Sequence, residues 1–318
     1  MKKRLLVMTP ISHIAGLERL LKKYFKLDKI ENPSNKQIFK IIQNYEIIFT
    51  NPNMSKVFLS QELLQKAKKL ETICTASTGT NHIDLSYAYK KKIKILSLRN
   101  KKKIINKISS TAEHALALMM SKIRNVYEAS VSVKKENWDY RPFIGRQMNN
   151  LNIGIIGYGR LGKMMARFLL PLVGKILIYE KNFKIKNLGK KISQVSLKKL
   201  ISNSDIISLH IHADEKNLNF INRNILNLMN KNVLIVNTSR GEIINEIDLV
   251  NFLKKNKDAT YATDVLKGEI KNKFESKIFK YSKVSNQVLI TPHIGGMTSD
   301  AQKLAYMGIA KELISSLS

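Results

Sequence analysis

The chain has 318 residues, 44% hydrophobic and 25% charged, with 14 Gly, 6 Pro and one Cys, so it is long and apolar enough for two domains with buried cores. That composition excludes a disordered polyelectrolyte, a disulfide scaffold and a collagen-like fibre, and the lone Cys74, unable to pair within the chain, implies a reducing compartment. Fifty-five Lys+Arg against 24 Asp+Glu give a net charge of +31, but only ten are Arg and the Lys are scattered among Ile and Asn. This pattern fits an A/T-rich coding bias and a generally basic surface better than a specific nucleic-acid site, which would enrich the bidentate Arg.

Residues 4–8 read as a first strand. Met1-Lys2-Lys3-Arg4 has the charge of a secretory leader, but the apolar run behind it stops at Thr9-Pro10. That is short of the roughly 7–15 apolar residues a leader needs, and no stretch reaches the roughly 18–20 of a membrane span. A cytoplasmic protein without membrane association is expected. Further strands are predicted at 46–50, 72–76 and 93–97, with helices at 14–25 and 60–69 between them. A long amphipathic helix follows, with Ser109 as its cap, Glu113 in its first turn and helical periodicity over 114–126. After a loop-like segment around Trp138 and Pro142, strands are predicted at 152–156, 175–179, 205–210, 232–237, 259–264 and 288–291, and a final helix at 301–314. One strand every 25–30 residues is the rhythm of βαβ units, hence an α/β fold with mainly parallel sheets. The Lys-rich stretches around 181–191 and 267–284 read as solvated surface.

Gly157-Tyr158-Gly159-Arg160-Leu161-Gly162 forms a G-x-G-x-x-G pattern between a predicted strand and a predicted helix at 163–170. In that context Gly157 permits the tight turn, Gly159 lets backbone approach a pyrophosphate, and Gly162 lets helix and strand pack closely. The helix N-terminus offers N–H groups and a positive dipole end to the phosphates. Glu180, at the end of the next strand, would accept both ribose hydroxyls and repel a 2′-phosphate, favouring NAD over NADP; Lys181 and Lys184 nearby soften that preference.

Three later segments supply what hydride transfer on a 2-keto or 2-hydroxy acid requires. Arg240, in Asn237-Thr238-Ser239-Arg240-Gly241, ends a strand and would clamp a carboxylate through its fork. Glu269 follows Asp264 by five residues, and His293 sits in Thr291-Pro292-His293-Ile294-Gly295-Gly296. A carboxylate beside an imidazole favours its protonated form and orients it. No metal site is predicted.

Together and in order, these segments resemble the D-isomer-specific 2-hydroxyacid dehydrogenases, relatives of 3-phosphoglycerate, D-lactate and glycerate dehydrogenases. The resemblance extends through Ser77-Thr78-Gly79-Thr80-Asn81-His82-Ile83-Asp84, Thr111-Ala112-Glu113-His114-Ala115-Leu116-Ala117-Leu118, Trp138…Gly145-Arg146 and Ser208-Leu209-His210. It implies an α/β fold of two doubly wound domains, with a Rossmann NAD-binding domain (101–289) inserted in a discontinuous flavodoxin-like substrate domain (1–100 and 290–318). It further implies that Arg240 binds the substrate carboxylate, that His293 with Glu269 is the acid/base, and that the backbone at Thr78, Gly79 and Thr80 holds the carboxylate. The implied cofactor contacts are Thr111, Gly157, Gly159, Arg160, Leu161, Gly162, Glu180, Thr238, Asp264, Gly295 and Gly296, and the implied cofactor is NAD (NADH). The implied partners are a small 2-hydroxy or 2-keto acid and a second copy of the chain, through the helix from Ser109 and the arm at Trp138.

Departures from the family are Glu180 where Asp is commoner, Ile270 where Pro often follows the Glu, and Ile211-His212-Ala213 where Pro is usual, His212 reading as a packing variant. Gly79-Thr80-Asn81 resembles the 3-phosphoglycerate branch, without a C-terminal regulatory domain being visible. The loops at 51–54 and 77–81 carry no charge that selects the acid. The alternative is a non-catalytic NAD(H)-sensing protein of the co-repressor type, with the basic surface touching nucleic acid or protein.

Overall fold

A computed structural model describes residues 2–52, 57–269 and 272–317; Asn53, Met54 and Ile270, singled out above, lie outside them. The chain divides into two compact units, Met1–Ile108 with Met297–Ser318, and Ser109–Gly296. The divisions fall after 108 and 296, where the sequence reading drew them after 100 and 289. The difference places helix Lys102–Ile105 with the first unit and the turn carrying His293 with the second.

The first unit is a five-stranded parallel sheet of β1 (Arg4–Val7), β2 (Lys26–Lys29), β3 (Ile47–Thr50), β4 (Thr72–Thr75) and β5 (Lys94–Ser97), in the order β2-β1-β3-β4-β5. This is the flavodoxin-like order. Because side chains alternate across a strand, Leu5, Val7, Ile47 and Phe49 face one layer and Leu6 and Ile48 the other. The first layer includes Leu17 and Leu21 of helix Leu17–Tyr24 with Tyr306, Ile309 and Leu313 of the C-terminal helix Ser299–Ser315; the second includes Ile38, Ile42, Leu63 and Leu64. Burial on both faces is why β1 and β3 are nearly continuous apolar runs.

The second unit holds seven parallel strands: β6 (Asn152–Ile156), β7 (Lys175–Tyr179), β8 (Ile192–Gln194), β9 (Ile206–Leu209), β10 (Leu234–Asn237), β11 (Thr260–Thr263) and β12 (Val288–Ile290). Their order is β12-β11-β10-β9-β6-β7-β8, a Rossmann order extended by one strand. The direction of winding reverses between β6 and β9, and the C-terminal ends flanking that reversal are where such sheets bind ligands. The fold class implied by the sequence is the one observed.

Local departures have local causes. The predicted long helix, drawn to Val126, ends at Ile123; Asn125, whose φ of +52° is left-handed, turns the chain there, and a helix that was not predicted, Val126–Val133, follows. Ser109 precedes the helix, but its hydroxyl donates to the Glu113 carboxylate at 2.5 Å and does not accept a helix N–H. β2 and β8 were not predicted. Both are edge strands, of sequence KLDK and ISQ, with none of their residues fully buried. The lysines of 181–191 are exposed as expected.

Candidate active site

β6 runs into the glycine turn. Gly157 has φ +92°, and a Cβ there would meet the His210 carbonyl oxygen at 2.6 Å; a Cβ on Gly162 would lie 2.1 Å from the Gly157 carbonyl oxygen. The turn therefore folds only with glycine at both places. Gly159 differs, since nothing lies within 4 Å of where its Cβ would be. Helix Arg160–Leu169 begins there with no side-chain cap, and Arg160, Leu161 and Gly162 fall in its first turn, where N–H groups lack an intrahelical acceptor.

Glu180 follows β7, its carboxylate accepting the Tyr158 N–H at 3.0 Å and the Asn182 N–H at 2.9 Å. That holds it against the glycine turn, on a surface pocket also lined by Lys181, Phe183, Lys184 and Gln194. At the ends of β9 and β10, His210 Nδ1 and the Thr238 hydroxyl are buried without a hydrogen-bond partner among the described residues. Burial pushes the His210 imidazole down to about 4. Unsatisfied polar atoms at that end of a parallel sheet call for a polar ligand. With an open Gly159 above a cradle that a Cβ would fill, the residues present fit a dinucleotide.

Arg240 stands on the turn after β10. Asn237 shapes that turn, its amide donating to the Arg240 carbonyl at 2.9 Å and its side-chain oxygen accepting the Ser239 N–H at 3.0 Å. The Arg240 guanidinium donates to the Ser239 carbonyl at 2.7 Å. Gly241 is pressed on the next segment, for a Cβ would lie 2.1 Å from the Leu266 carbonyl carbon. That segment carries Glu269. It is gripped by Glu246, whose carboxylate accepts from the Ser276 hydroxyl and the Lys277 N–H, both at 2.8 Å, and by Glu242, which accepts the Gly268 N–H at 3.3 Å.

Glu269 accepts the Leu266 N–H at 2.7 Å with one oxygen and meets His293 Nδ1 at 2.6 Å with the other. Both side chains keep about a quarter of their surface exposed, 24% and 25%. The structure thus joins two of the three expected catalytic residues directly. Among the described residues no hydrogen bond or ion pair joins Arg240 to either; the link is the backbone contact at Gly241.

His293 has φ +57°, a left-handed conformation uncommon outside glycine. Its flanking residues are tied to Asp264, which is 2% exposed. The Asp264 carboxylate accepts from the Thr291 hydroxyl at 2.6 Å, the Ile294 N–H at 2.9 Å and the Gly295 N–H at 2.7 Å. Burial pushes its acidity down, but hydrogen bonds from His114, Thr291, Gly295 and Ile294 outweigh that, and its pKa lies below the usual carboxylate range. His114 Nε2 is 2.8 Å from the Thr291 hydroxyl. Thr111 lies beside Gly295, its methyl 3.6 Å from where a Gly295 Cβ would be. Gly296 is half-buried next to it.

In the first unit, Thr78, Gly79 and Thr80 follow β4; Thr78 is exposed and the Gly79 N–H donates to the Ser77 hydroxyl at 2.9 Å. His82 is buried, and among the described residues neither ring nitrogen has a hydrogen-bond partner. His212 is exposed, in the loop beyond β9 where its carbonyl accepts from Asn217, and not buried in a core as its reading as a packing variant expects. The sequence reading gave no role to His114 or Glu246. His114 lies one turn beyond Thr111, so it shares that helix face, a signal that was available. Glu246 grips a loop some thirty residues away, and nothing local announces such a contact. Among the described residues no cluster able to hold a metal ion occurs, and no helix is long and apolar enough to cross a membrane.

Residues 116–295 match the profile described as "D-isomer specific 2-hydroxyacid dehydrogenase, NAD binding domain". The chain is 28% identical over 314 residues to D-3-phosphoglycerate dehydrogenase of Archaeoglobus fulgidus, an alignment covering 98% of this chain and 56% of that protein. It is 28% identical to hydroxypyruvate reductase of Thermotoga maritima, over 90% of each. Among solved structures, D-lactate dehydrogenase of Aquifex aeolicus, complexed with NAD and lactic acid, superposes with a TM-score of 0.81 at 26% identity, covering 99% of this chain and 95% of that one. The chain spans about half the length of the phosphoglycerate dehydrogenases it matches.

Proposed function

Because the chain belongs to the D-isomer-specific 2-hydroxyacid dehydrogenase family, we propose that it is an NAD-dependent oxidoreductase moving a hydride between the nicotinamide and C2 of a small 2-keto or D-2-hydroxy acid. The observation that carries this reading is the 2.6 Å contact between Glu269 and His293 Nδ1. With Nδ1 given to the carboxylate, Nε2 is the nitrogen left to exchange a proton with substrate.

The N–H groups at Arg160, Leu161 and Gly162, above the Gly157 and Gly159 turn, would hold the pyrophosphate, and Glu180 the ribose hydroxyls. Thr111, Thr238, Gly295 and Gly296 would border the nicotinamide end. Asp264 enters this set through the turn it holds, because its oxygens are already engaged by Thr291, Ile294 and Gly295. Bound NADH supplies the hydride. Arg240 would take the substrate carboxylate in its fork and polarise the neighbouring carbonyl. In reduction, Nε2 of protonated His293 gives its proton to the C2 oxygen while Glu269 stabilises the imidazolium; in oxidation the same nitrogen accepts it.

The relatives' names set the substrates to try: pyruvate, hydroxypyruvate and phosphohydroxypyruvate. NADH oxidation followed by absorbance should show turnover on at least one, falling by about 10²–10⁴-fold in His293→Ala and strongly in Arg240→Ala. No turnover on any of them, together with nucleic-acid binding of steep salt dependence, would favour the NAD(H)-sensing alternative.

A further inference from the structure

The mechanism above needs His293 in a backbone conformation that it would not choose, and the residues that impose it lie outside the substrate-binding and proton-transfer set. We propose that His114 and Thr291, acting through Asp264, are positioning residues that lock the His293 turn in its catalytic geometry. This rests on the reading of His293 as the acid/base.

The geometry has a consistent direction. The Thr291 hydroxyl donates to Asp264 Oδ1 at 2.6 Å, so its oxygen is left to accept, and His114 Nε2 stands 2.8 Å from it. The same His114 nitrogen is 3.3 Å from Asp264 Oδ1. Nε2–H of His114 therefore donates into a chain that ends on the Asp264 carboxylate. That carboxylate in turn accepts the Ile294 and Gly295 N–H groups, the two residues following His293, while Thr291 precedes it by two. The left-handed residue is bracketed on both sides by one buried anion. The His293 N–H closes back on the Thr291 carbonyl at 3.0 Å, which tightens the same turn.

His114 also ties the turn to helix Ser110–Ile123, which packs against β10 and β11. The anchor is thus a rigid element and not another loop. Buried polar networks of this kind hold strained residues when every member is satisfied. Loosening one link would let the imidazole leave its line with Glu269, and a misplacement of about 1 Å is enough to cost roughly a hundredfold in rate.

The test compares Thr291→Val, which removes only the hydroxyl, with Thr291→Ser, which keeps it, and His114→Phe with His114→Gln, which keeps a donor near Nε2. Three quantities are read: the thermal midpoint, kcat and KM, and the downfield proton resonance of His293 Nδ1–H, assigned by its loss in His293→Ala. Thr291→Val and His114→Phe should lower kcat by about tenfold to a hundredfold with KM for NADH unchanged, and broaden or shift the resonance. Thr291→Ser and His114→Gln should restore both. Wild-type kcat and resonance in a folded Thr291→Val or His114→Phe protein would overturn the proposal. Should Thr291→Val fail to fold, the His114 pair decides alone. If wild type turns over no keto acid but its resonance still responds to these variants, the positioning stands and the catalytic reading falls.

Discussion

A histidine held at φ +57° beside a carboxylate at 2.6 Å is a specific arrangement, and each partner has a separable job. Glu269 fixes which ring nitrogen faces outward and stabilises the imidazolium. Glu269→Gln keeps a hydrogen-bonding group of the same length but removes the charge. It should leave the thermal midpoint near wild type and lower kcat by about a hundredfold, read by steady-state kinetics on the best keto acid. Arg240→Lys keeps the charge of Arg240 and loses the fork, so KM for the acid should rise strongly while affinity for NADH holds, by titration of protein fluorescence. The identities of these three residues were legible in the sequence because each chemical type stands at a strand end in family order. The left-handed turn was not, since a dihedral imposed by contacts with Asp264 and His114 leaves no mark in the residues flanking His293.

At the scale of elements, the two glycines after Gly157 make opposite predictions. Gly162→Ala drives a Cβ to 2.1 Å from the Gly157 carbonyl oxygen, so helix and strand must part. Its cost should be at least the roughly 1–3 kcal/mol of an overpacked site, seen as a lowered denaturation midpoint. Gly159→Ala meets no atom within 4 Å, and the backbone there has φ −72°. It should fold with an unchanged midpoint and lose NADH affinity, measured by calorimetry. A wild-type affinity in Gly159→Ala would remove the pyrophosphate from that turn. The central strands were readable from apolar β-branched runs because both of their faces are buried. The edge strands β2 and β8 were not, because an edge guarded by Lys and Asp or by Ser and Gln has no apolar signature. Likewise, the helix from Ser109 reads on to Val126 in sequence and ends at Ile123 in the fold, because Asn125 turns the backbone left-handed without interrupting the apolar period.

Across the whole molecule, the buried His82 and the largely enclosed His210 set an acid limit. Burial pushes His82 in the first unit and His210 in the second down to about 4. Their unfolded value is near 6.5, so between 6.5 and 4 the unfolded chain binds more protons than the folded one. Stability is then full above about 6.5 and declines as the pH falls towards 4, by on the order of 3 kcal/mol per histidine. Melting curves from pH 7.5 to 4 should show this decline, and His82→Leu should flatten it for the first unit; a midpoint that rises on acidification would contradict the account. The arm bears Trp138, 87% exposed, with Tyr140 at 76% and Ile144 at 73%. Such apolar exposure supports the expected homodimer. Light scattering should report twice the chain mass for wild type and a shift towards the single-chain mass for Trp138→Asp. The acid substrate stays unwritten in the sequence: Asn53 and Met54 lie outside the described residues, and Thr78 and Thr80 bring hydroxyls but no charge.

The most direct test of the central claim follows one atom. With NADH deuterated at C4 and the keto acid that turns over best, the 2-hydroxy product should carry one deuterium at C2, in the D configuration, by mass spectrometry and chiral separation. His293→Ala should form that product at least a hundredfold more slowly. A hydroxy acid formed without deuterium from either face of C4, or formed at the wild-type rate by His293→Ala, would contradict the account.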